Sequence, residues 1–303
     1  MKLDTLNFGN AKGHPHILVT GGVHGDEYEP MLAIRRLGSL LSPRQIQGRI
    51  TLIPVVNEAA YRLGARAAED GLDLARTCPG RADGSITERT AHALSAVIRE
   101  ADAYIDLHTG GLALRVYPLA GYMLHHDSSV LEQQRSMARI FGLPVVWGTN
   151  PNLEGRSLSI ARDAKVPAIY AEYHGGGGCD PDGVSAYVRG CLNILKHFGV
   201  IDGEIEPISL EQRIIEDARP GAGHMQVRHP SPIQGVFEPK VSLGSRVQIG
   251  QGLGTVFDPL GQTVAPVVAD SSGVVLVLRK RARISAGESV GVIVETDADL
   301  PNY

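Results

Sequence analysis

The chain has 303 residues, of which 43% are apolar and 20% are charged, a balance that excludes a mainly disordered chain. The length predicts about two domains. The net charge is −4, so we expect no basic surface that would bind nucleic acid or an anionic membrane.

Apolar strands alternate with amphipathic helices over the first two thirds of the chain. The first helix, for example, follows a short apolar strand and has Met31, Ile34 and Leu37 on one face. In chain order we predict a strand followed by a helix four times, at residues 16–20, 30–41, 50–56, 87–101, 103–107, 129–141, 166–171 and 184–198. This alternation favours an α/β fold in which helices flank a mixed, mostly parallel sheet.

The sequence changes character near residue 205, after which glycine, proline and valine dominate and helical periodicity ends. Segments 247–256 and 284–293 both contain the pattern G-(Q/E)-x-(L/V)-G-x-(V/I), 37 residues apart. A repeated strand–turn–strand unit is typical of a small all-β sandwich or half-barrel, although two unrelated hairpins would also fit. We therefore predict a catalytic domain at residues 1–204 and a smaller all-β domain at residues 205–303.

Nothing in the sequence indicates export or a disulfide framework. The amino terminus has no apolar stretch typical of a secretory signal, and no window approaches 18 uninterrupted apolar residues. The three cysteines, Cys78, Cys179 and Cys191, form no CxxC pair. We therefore expect a cytoplasmic protein without a membrane span.

Polar side chains follow three of the predicted strands. His24 and Glu27 lie in GGVHGDE after the first strand, His108 ends the strand YIDLH, and Glu172 ends the strand PAIYAE. In an open α/β sheet, ligands bind at the carboxyl ends of the strands. We therefore expect these four residues, which are distant in sequence, to lie at one edge of the sheet.

Two histidines and one carboxylate form a known set of ligands for catalytic zinc, with one position left open for water. His24, Glu27 and His108 match that set, and Glu172 is the candidate general base. Glycines flank all of these residues and permit sharp turns and close approach of a substrate. Taken singly, Glu27 could instead interact with the dipole of the following helix, and His108 could be a hydrogen-bonded core residue.

Five motifs in this order resemble the succinylglutamate desuccinylase/aspartoacylase family, a deacylase branch of the zinc carboxypeptidase-like fold. They are GGVHGDE, the pattern N-x-A-x6-R formed by Asn57, Ala59 and Arg66, then DLARTCPG, DLHTGG and a strand that ends in glutamate. The motifs cover residues 15–180, and residues 205–303 resemble the family's C-terminal β domain in style.

This resemblance implies one Zn²⁺ per subunit, bound by His24, Glu27 and His108, with Glu172 as general base. It also implies that Arg66 stabilises the oxyanion. The family's Asp-Leu-Asn-Arg signature falls on residues 73–76, so that Arg76 would bind the substrate's α-carboxylate.

Asp73 and Asn57 are expected to be further substrate-binding residues. Ala75 replaces the family's asparagine, so carboxylate binding is expected to be weaker or rebuilt. Without the resemblance, Arg66 and Arg76 could be two surface arginines.

We therefore predict a zinc-dependent amidohydrolase that removes an acyl group from a small N-acyl amino acid or a related amide. The alternatives are a zinc carboxypeptidase acting on peptides and a metal-binding homologue without catalysis. A biotinyl- or lipoyl-type carrier is disfavoured because Lys240 and Lys280, the only lysines after residue 200, have no methionine neighbours. The expected partner is a small molecule, with no nucleic acid or membrane, and a homo-oligomer is possible.

Overall fold

The structure, a computed structural model, describes residues 1–208 and 211–303. Strands and helices alternate in its first two thirds, as the sequence pattern predicts. The elements are β1 (Leu6–Gly9), β2 (His16–Thr20), α1 (Tyr28–Leu40), β3 (Arg49–Ile53), α2 (Glu58–Leu63), α3 (Ile86–Arg99), β4 (Ala103–His108), β5 (Leu114–Met123), α4 (Ser128–Phe141), β6 (Val145–Thr149), α5 (Ser157–Asp163), β7 (Ala168–His174) and α6 (Pro181–His197).

All eight predicted elements are present, with ends shifted by a few residues. The strand predicted at 50–56 ends at Ile53, because the next residue is proline and has no backbone N–H to donate. Sequence reasoning missed β1, α2, β5, β6 and α5. Strand β5 is buried at nearly every position and so shows no alternation of apolar and polar residues, while α5 spans only seven residues, too few for a clear helical period.

Parallel strands form the centre of the sheet, in the order β3, β2, β4, β7. Strand β5 runs antiparallel to β7 and parallel to β6, and β1 runs antiparallel to β3. Residues from α1, α4 and α6 pack into one apolar cluster with the sheet, and residues from α3 and α5 pack into another. The predicted α/β fold, with a mixed sheet flanked by helices, is confirmed.

The C-terminal third of the chain is built from strands. They are β8 (Arg213–Glu216), β9 (Gly235–Pro239), β10 (Arg246–Val247), β11 (Gly252–Phe257), β12 (Val264–Val268), β13 (Gly273–Arg279), β14 (Arg283–Ile284) and β15 (Gly291–Val294). Four of them form an antiparallel sheet in the order β12, β11, β9, β14. None of the helices within the described ranges is long and apolar enough to cross a membrane.

The two repeated segments have the same local structure. Each forms a short strand, a turn and a second strand, from β10 to β11 and from β14 to β15. Gly250 and Gly287 lie in the two turns with φ of +81° and +85°, values that favour glycine because it has no Cβ.

Strands from both sides of residue 205 share the large sheet. Strand β13 pairs with β5, and β8 pairs with β6. The division of the chain into units 1–204 and 205–303 stays a prediction. The pairing of β13 with β5 and of β8 with β6 holds the C-terminal segment beside the carboxyl ends of the central strands.

Candidate metal centre and active site

The candidate site lies at the carboxyl ends of β2, β4 and β7, which are parallel neighbours. His108 ends β4, and its register partner Glu172 lies two residues before the end of β7, which continues to His174 rather than ending at Glu172 as predicted. His24 and Glu27 lie in the loop between β2 and α1. The structure therefore brings together the four residues that the sequence pattern placed at this edge.

His24, Glu27 and His108 are buried and converge on one point, where one ligand atom from each lies within 4.8 Å of the others. His24 Nδ1 is 2.8 Å from Glu27 Oε1, and His108 Nδ1 is 3.1 Å from Glu27 Oε2. The backbone N–H of Thr109 donates to the same Oε2. Two imidazole nitrogens and a carboxylate are the donors that a catalytic zinc ion takes.

Each histidine has an aspartate on the far side of its ring. His24 Nε2 is 3.0 Å from Asp73 Oδ1, and His108 Nε2 is 3.1 Å from Asp106 Oδ2. When a carboxylate accepts a hydrogen bond from the Nε2–H of a histidine, the lone pair of its Nδ1 can bind a metal. The residues present therefore fit a zinc ion in both their inner and outer contacts.

The two glutamates of the site have opposite electrostatic environments. Burial would raise the pKa of Glu27, but the adjacent His24 and His108 hold that pKa well below its usual range. Burial raises the pKa of Glu172 well above its usual range, although His108 acts in the opposite direction. Glu172 Oε2 has no hydrogen-bond partner among the described residues, so this carboxyl group is available to hold or transfer a proton.

Arginines form the cationic side of the site. Arg66 donates from Nε and Nη2 to Asp73 Oδ2, at 3.1 and 3.0 Å, and its Nη1 is 3.8 Å from Glu27 Oε1. Arg76 donates to the carbonyl oxygen of Ala75, and within the described residues it has no carboxylate within ion-pair distance. Its positive charge is therefore available to an anionic ligand.

Sequence reasoning missed a third arginine, Arg156, which precedes α5. It donates from Nη2 to the carbonyl oxygen of Gly223 at 3.2 Å, while its buried Nε has no partner in the described part of the chain. Burial and the nearby Arg76 lower the pKa of Arg156 to about 10. Its position depends on Gly155, where a Cβ would lie 2.5 Å from the carbonyl oxygen of Arg76, and this tertiary contact has no signal in the local sequence.

A cavity of about 70 Å³ joins the metal centre to the arginines. One wall is contributed by the C-terminal third of the chain, through Gly223, Met225 and Gln226. The remaining lining residues are a mixture of the site residues and apolar or hydroxyl side chains: His24, Glu27, Arg66, Ala75, Arg76, Asp106, His108, Thr109, Met123, Thr149, Leu153, Arg156, Ser157, Leu158, Tyr170 and Glu172.

Two residues expected to bind substrate have other contacts in this structure. The Asn57 side chain caps α2 by accepting from the backbone N–H of Ala60, and Asn57 does not line the cavity. Asp73 contacts His24 and Arg66, and it also accepts from the backbone N–H of Ala75. Their roles in substrate binding stay predictions.

Comparison with known proteins identifies the family. Residues 13–198 match the succinylglutamate desuccinylase/aspartoacylase catalytic domain. The chain belongs to the succinylglutamate desuccinylase/aspartoacylase family. It is also 33% identical over 293 residues to the N-α-acetyl-L-2,4-diaminobutyric acid deacetylase of Halomonas elongata, an alignment that covers 94% of this chain and 84% of that protein.

Solved structures of family members have the same fold. A succinylglutamate desuccinylase/aspartoacylase from Rhodobacter sphaeroides is 28% identical, with a TM-score of 0.83 over 95% of this chain and 88% of that one. The product-bound ectoine utilization protein EutE (DoeB) from Ruegeria pomeroyi is 26% identical, with a TM-score of 0.84 over 95% of this chain and 87% of that one. Because both matches extend beyond residue 198, the family likeness includes the C-terminal β structure.

Proposed function

We propose that this protein is a zinc-dependent deacylase that hydrolyses the amide bond of small N-acyl amino acids. The proposal is carried by the convergence of His24, Glu27 and His108 beside Glu172, whose Oε2 has no hydrogen-bond partner among the described residues. The same cavity also contains Arg76 and Arg156. The names of its relatives support the same class of reaction, since the Halomonas protein is a deacetylase of an N-acetylated amino acid.

In this proposal, His24, Glu27 and His108 hold one zinc ion. When bound, zinc supplies Lewis acidity and lowers the pKa of water. Glu172 accepts a proton from the attacking water at its free Oε2 and then delivers that proton to the nitrogen of the leaving amine. Arg66 donates to the amide carbonyl oxygen as negative charge develops there.

The arginines beyond the metal centre would bind the substrate's carboxylate. Arg76 and Arg156 both line the cavity, and a guanidinium group can donate two parallel hydrogen bonds to a carboxylate. We propose that Arg156 takes over part of the binding that the family's asparagine provides where this chain has Ala75. Asp73 would then act by positioning His24 and Arg66.

The C-terminal wall of the cavity argues against a carboxypeptidase that acts on long peptides, because Gly223, Met225 and Gln226 line one side of the cavity. A non-catalytic homologue is also disfavoured, because the chain retains all three ligand residues together with Glu172 and Arg66.

The proposed activity can be tested by following acetate release with proton NMR. We expect the zinc-loaded protein to release acetate from at least one member of a panel of N-acetyl amino acids with cationic, anionic and neutral side chains. The matching N-acetyl amino acid amide, in which a neutral carboxamide replaces the α-carboxylate, should react far more slowly. Release of C-terminal residues from peptides without acetate release would favour the carboxypeptidase, and no hydrolysis of any substrate would favour the non-catalytic homologue.

Arg156→Gln is expected to raise KM by about 10- to 100-fold with a smaller change in kcat. The loss of a hydrogen bond to a charged group costs about 1.5–3 kcal/mol, and each 1.4 kcal/mol corresponds to about a tenfold change in affinity. Steady-state kinetics on the best substrate of the panel measure this. Arg99→Gln, at an exposed position in the last turn of α3, is the matched control, and an unchanged KM in Arg156→Gln would contradict the assigned role.

A further inference from the structure

Asp106 lies on β4, two residues before His108, and is fully buried. Its Oδ2 is 3.1 Å from His108 Nε2. Thr20 donates to Oδ1 at 2.7 Å, and the Ser157 hydroxyl donates to Oδ2. Buried charges persist in proteins when they are paired and hydrogen-bonded, and this carboxylate has a partner on each oxygen.

The contacts of Asp106 come from three separate elements. Thr20 ends β2 and Ser157 begins α5, while Tyr104 on β4 in turn contacts the Thr20 hydroxyl at 2.8 Å. The carboxylate is therefore held from both sides and cannot rotate away from the imidazole. This fixes the plane of the His108 ring and keeps its Nδ1 directed at Glu27.

Asp106 differs in this respect from Asp73, the aspartate beside His24. The Asp73 carboxylate also forms an ion pair with Arg66, and 26% of its side chain is exposed. Among the described residues, His108 is the only cationic partner that Asp106 has within ion-pair distance. The carboxylate of Asp106 therefore acts on one metal ligand.

We propose that Asp106 is a positioning residue that sets the orientation of His108 and thereby the affinity of the metal centre. Ser157 supports this role, because its hydroxyl donates to Asp106. Ser157 also directly follows Arg156, the proposed carboxylate-binding residue, so the backbone connects Arg156 to a residue that holds Asp106 in place. This inference rests on the proposed function, since it assumes that His108 is a zinc ligand.

The test compares zinc affinity in the wild type, Asp106→Asn and Asp102→Asn, measured by competition with a chelator of known affinity. We expect Asp106→Asn to bind zinc about 10- to 100-fold more weakly, the usual effect of losing an outer partner of a metal ligand. Asp102 precedes the same strand at its other end and contacts His14 and the backbone of His16. Its substitution should leave zinc affinity unchanged.

The absorption spectrum of the cobalt-substituted protein separates positioning from a general effect on folding. We expect the visible bands to shift in Asp106→Asn, because the geometry at His108 changes, and to stay in place in Asp102→Asn. Unchanged zinc affinity in Asp106→Asn would overturn the proposal. Weaker binding with an unchanged cobalt spectrum would also overturn it, since Asp106 would then be merely structural.

Ser157→Ala provides a second variant if Asp106→Asn does not fold, as judged by circular dichroism. It removes one of the hydroxyl groups that fix Asp106 but keeps the carboxylate. We expect a smaller loss of zinc affinity in the same direction, and an unchanged affinity would contradict the role of Asp106. A wild-type protein that binds no zinc would instead overturn the proposed metal centre, and this role with it.

Discussion

Glu172→Gln is expected to lower kcat by about 10²- to 10⁴-fold, the range that a positioned general acid–base group contributes. Glutamine has nearly the same size and shape, so the packing around residue 172 should persist, but the amide cannot take a proton from water or deliver one to the leaving amine. Glu172 lies outside the proposed ligand set, so the variant should still bind one zinc ion. Steady-state kinetics and metal analysis of the same preparation measure both quantities.

Glu58→Gln is the control for this substitution. Glu58 begins α2 and forms a salt bridge with Arg62 on the surface, so its loss should leave kcat and zinc content unchanged. Wild-type kcat in Glu172→Gln would show that another group transfers the proton. Loss of zinc from Glu172→Gln would show that Glu172 belongs to the metal centre instead.

Glu27→Gln is expected to abolish zinc retention and to reduce hydrolysis to the background rate. Glu27 is almost completely buried between His24 and His108, and its carboxylate is the only negative charge in the proposed set of three ligands. A neutral amide is a poor zinc ligand compared with a carboxylate. The loss of zinc affinity should exceed the decrease of about 10- to 100-fold that follows when an outer partner of a metal ligand is removed. Zinc content after gel filtration measures retention, and acetate release measures activity.

The neighbouring Asp26 offers a matched control, since Asp26→Asn makes the same chemical change one residue away. Asp26 is also buried, but its carboxylate accepts from the backbone N–H of Leu112 and does not belong to the metal cluster. We expect this variant to keep its zinc and most of its activity. Zinc retained in Glu27→Gln at the wild-type level would contradict the proposed ligand set.

The position of the candidate site could be predicted from sequence because it depends on simple rules of α/β architecture. His108 and Glu172 directly end apolar runs, and His24 follows a third run after two glycines. Once these runs are assigned as neighbouring parallel strands, their carboxyl ends must meet at one edge of the sheet. The convergence of the residues then follows without any knowledge of side-chain contacts.

Contacts that depend on tertiary packing could not be predicted in this way. Arg156 lies in a loop before a short helix, and neither has a periodic pattern. Its place beside the cavity depends on Gly155 packing against the backbone of Arg76. The C-terminal wall depends on the pairing of β8 with β6, a long-range contact that the local sequence does not encode.

If one zinc ion at this centre makes the protein a deacylase, a zinc titration of the metal-free protein should restore its activity. Zinc is removed with a chelator, the chelator is dialysed away, and acetate release from the best N-acetyl amino acid is measured as zinc is added back. We expect no activity without metal, a linear rise in activity as zinc is added, and a plateau at one zinc ion per chain. Full activity in the metal-free protein, or a rise that does not level off at one equivalent, would contradict the proposed role of zinc.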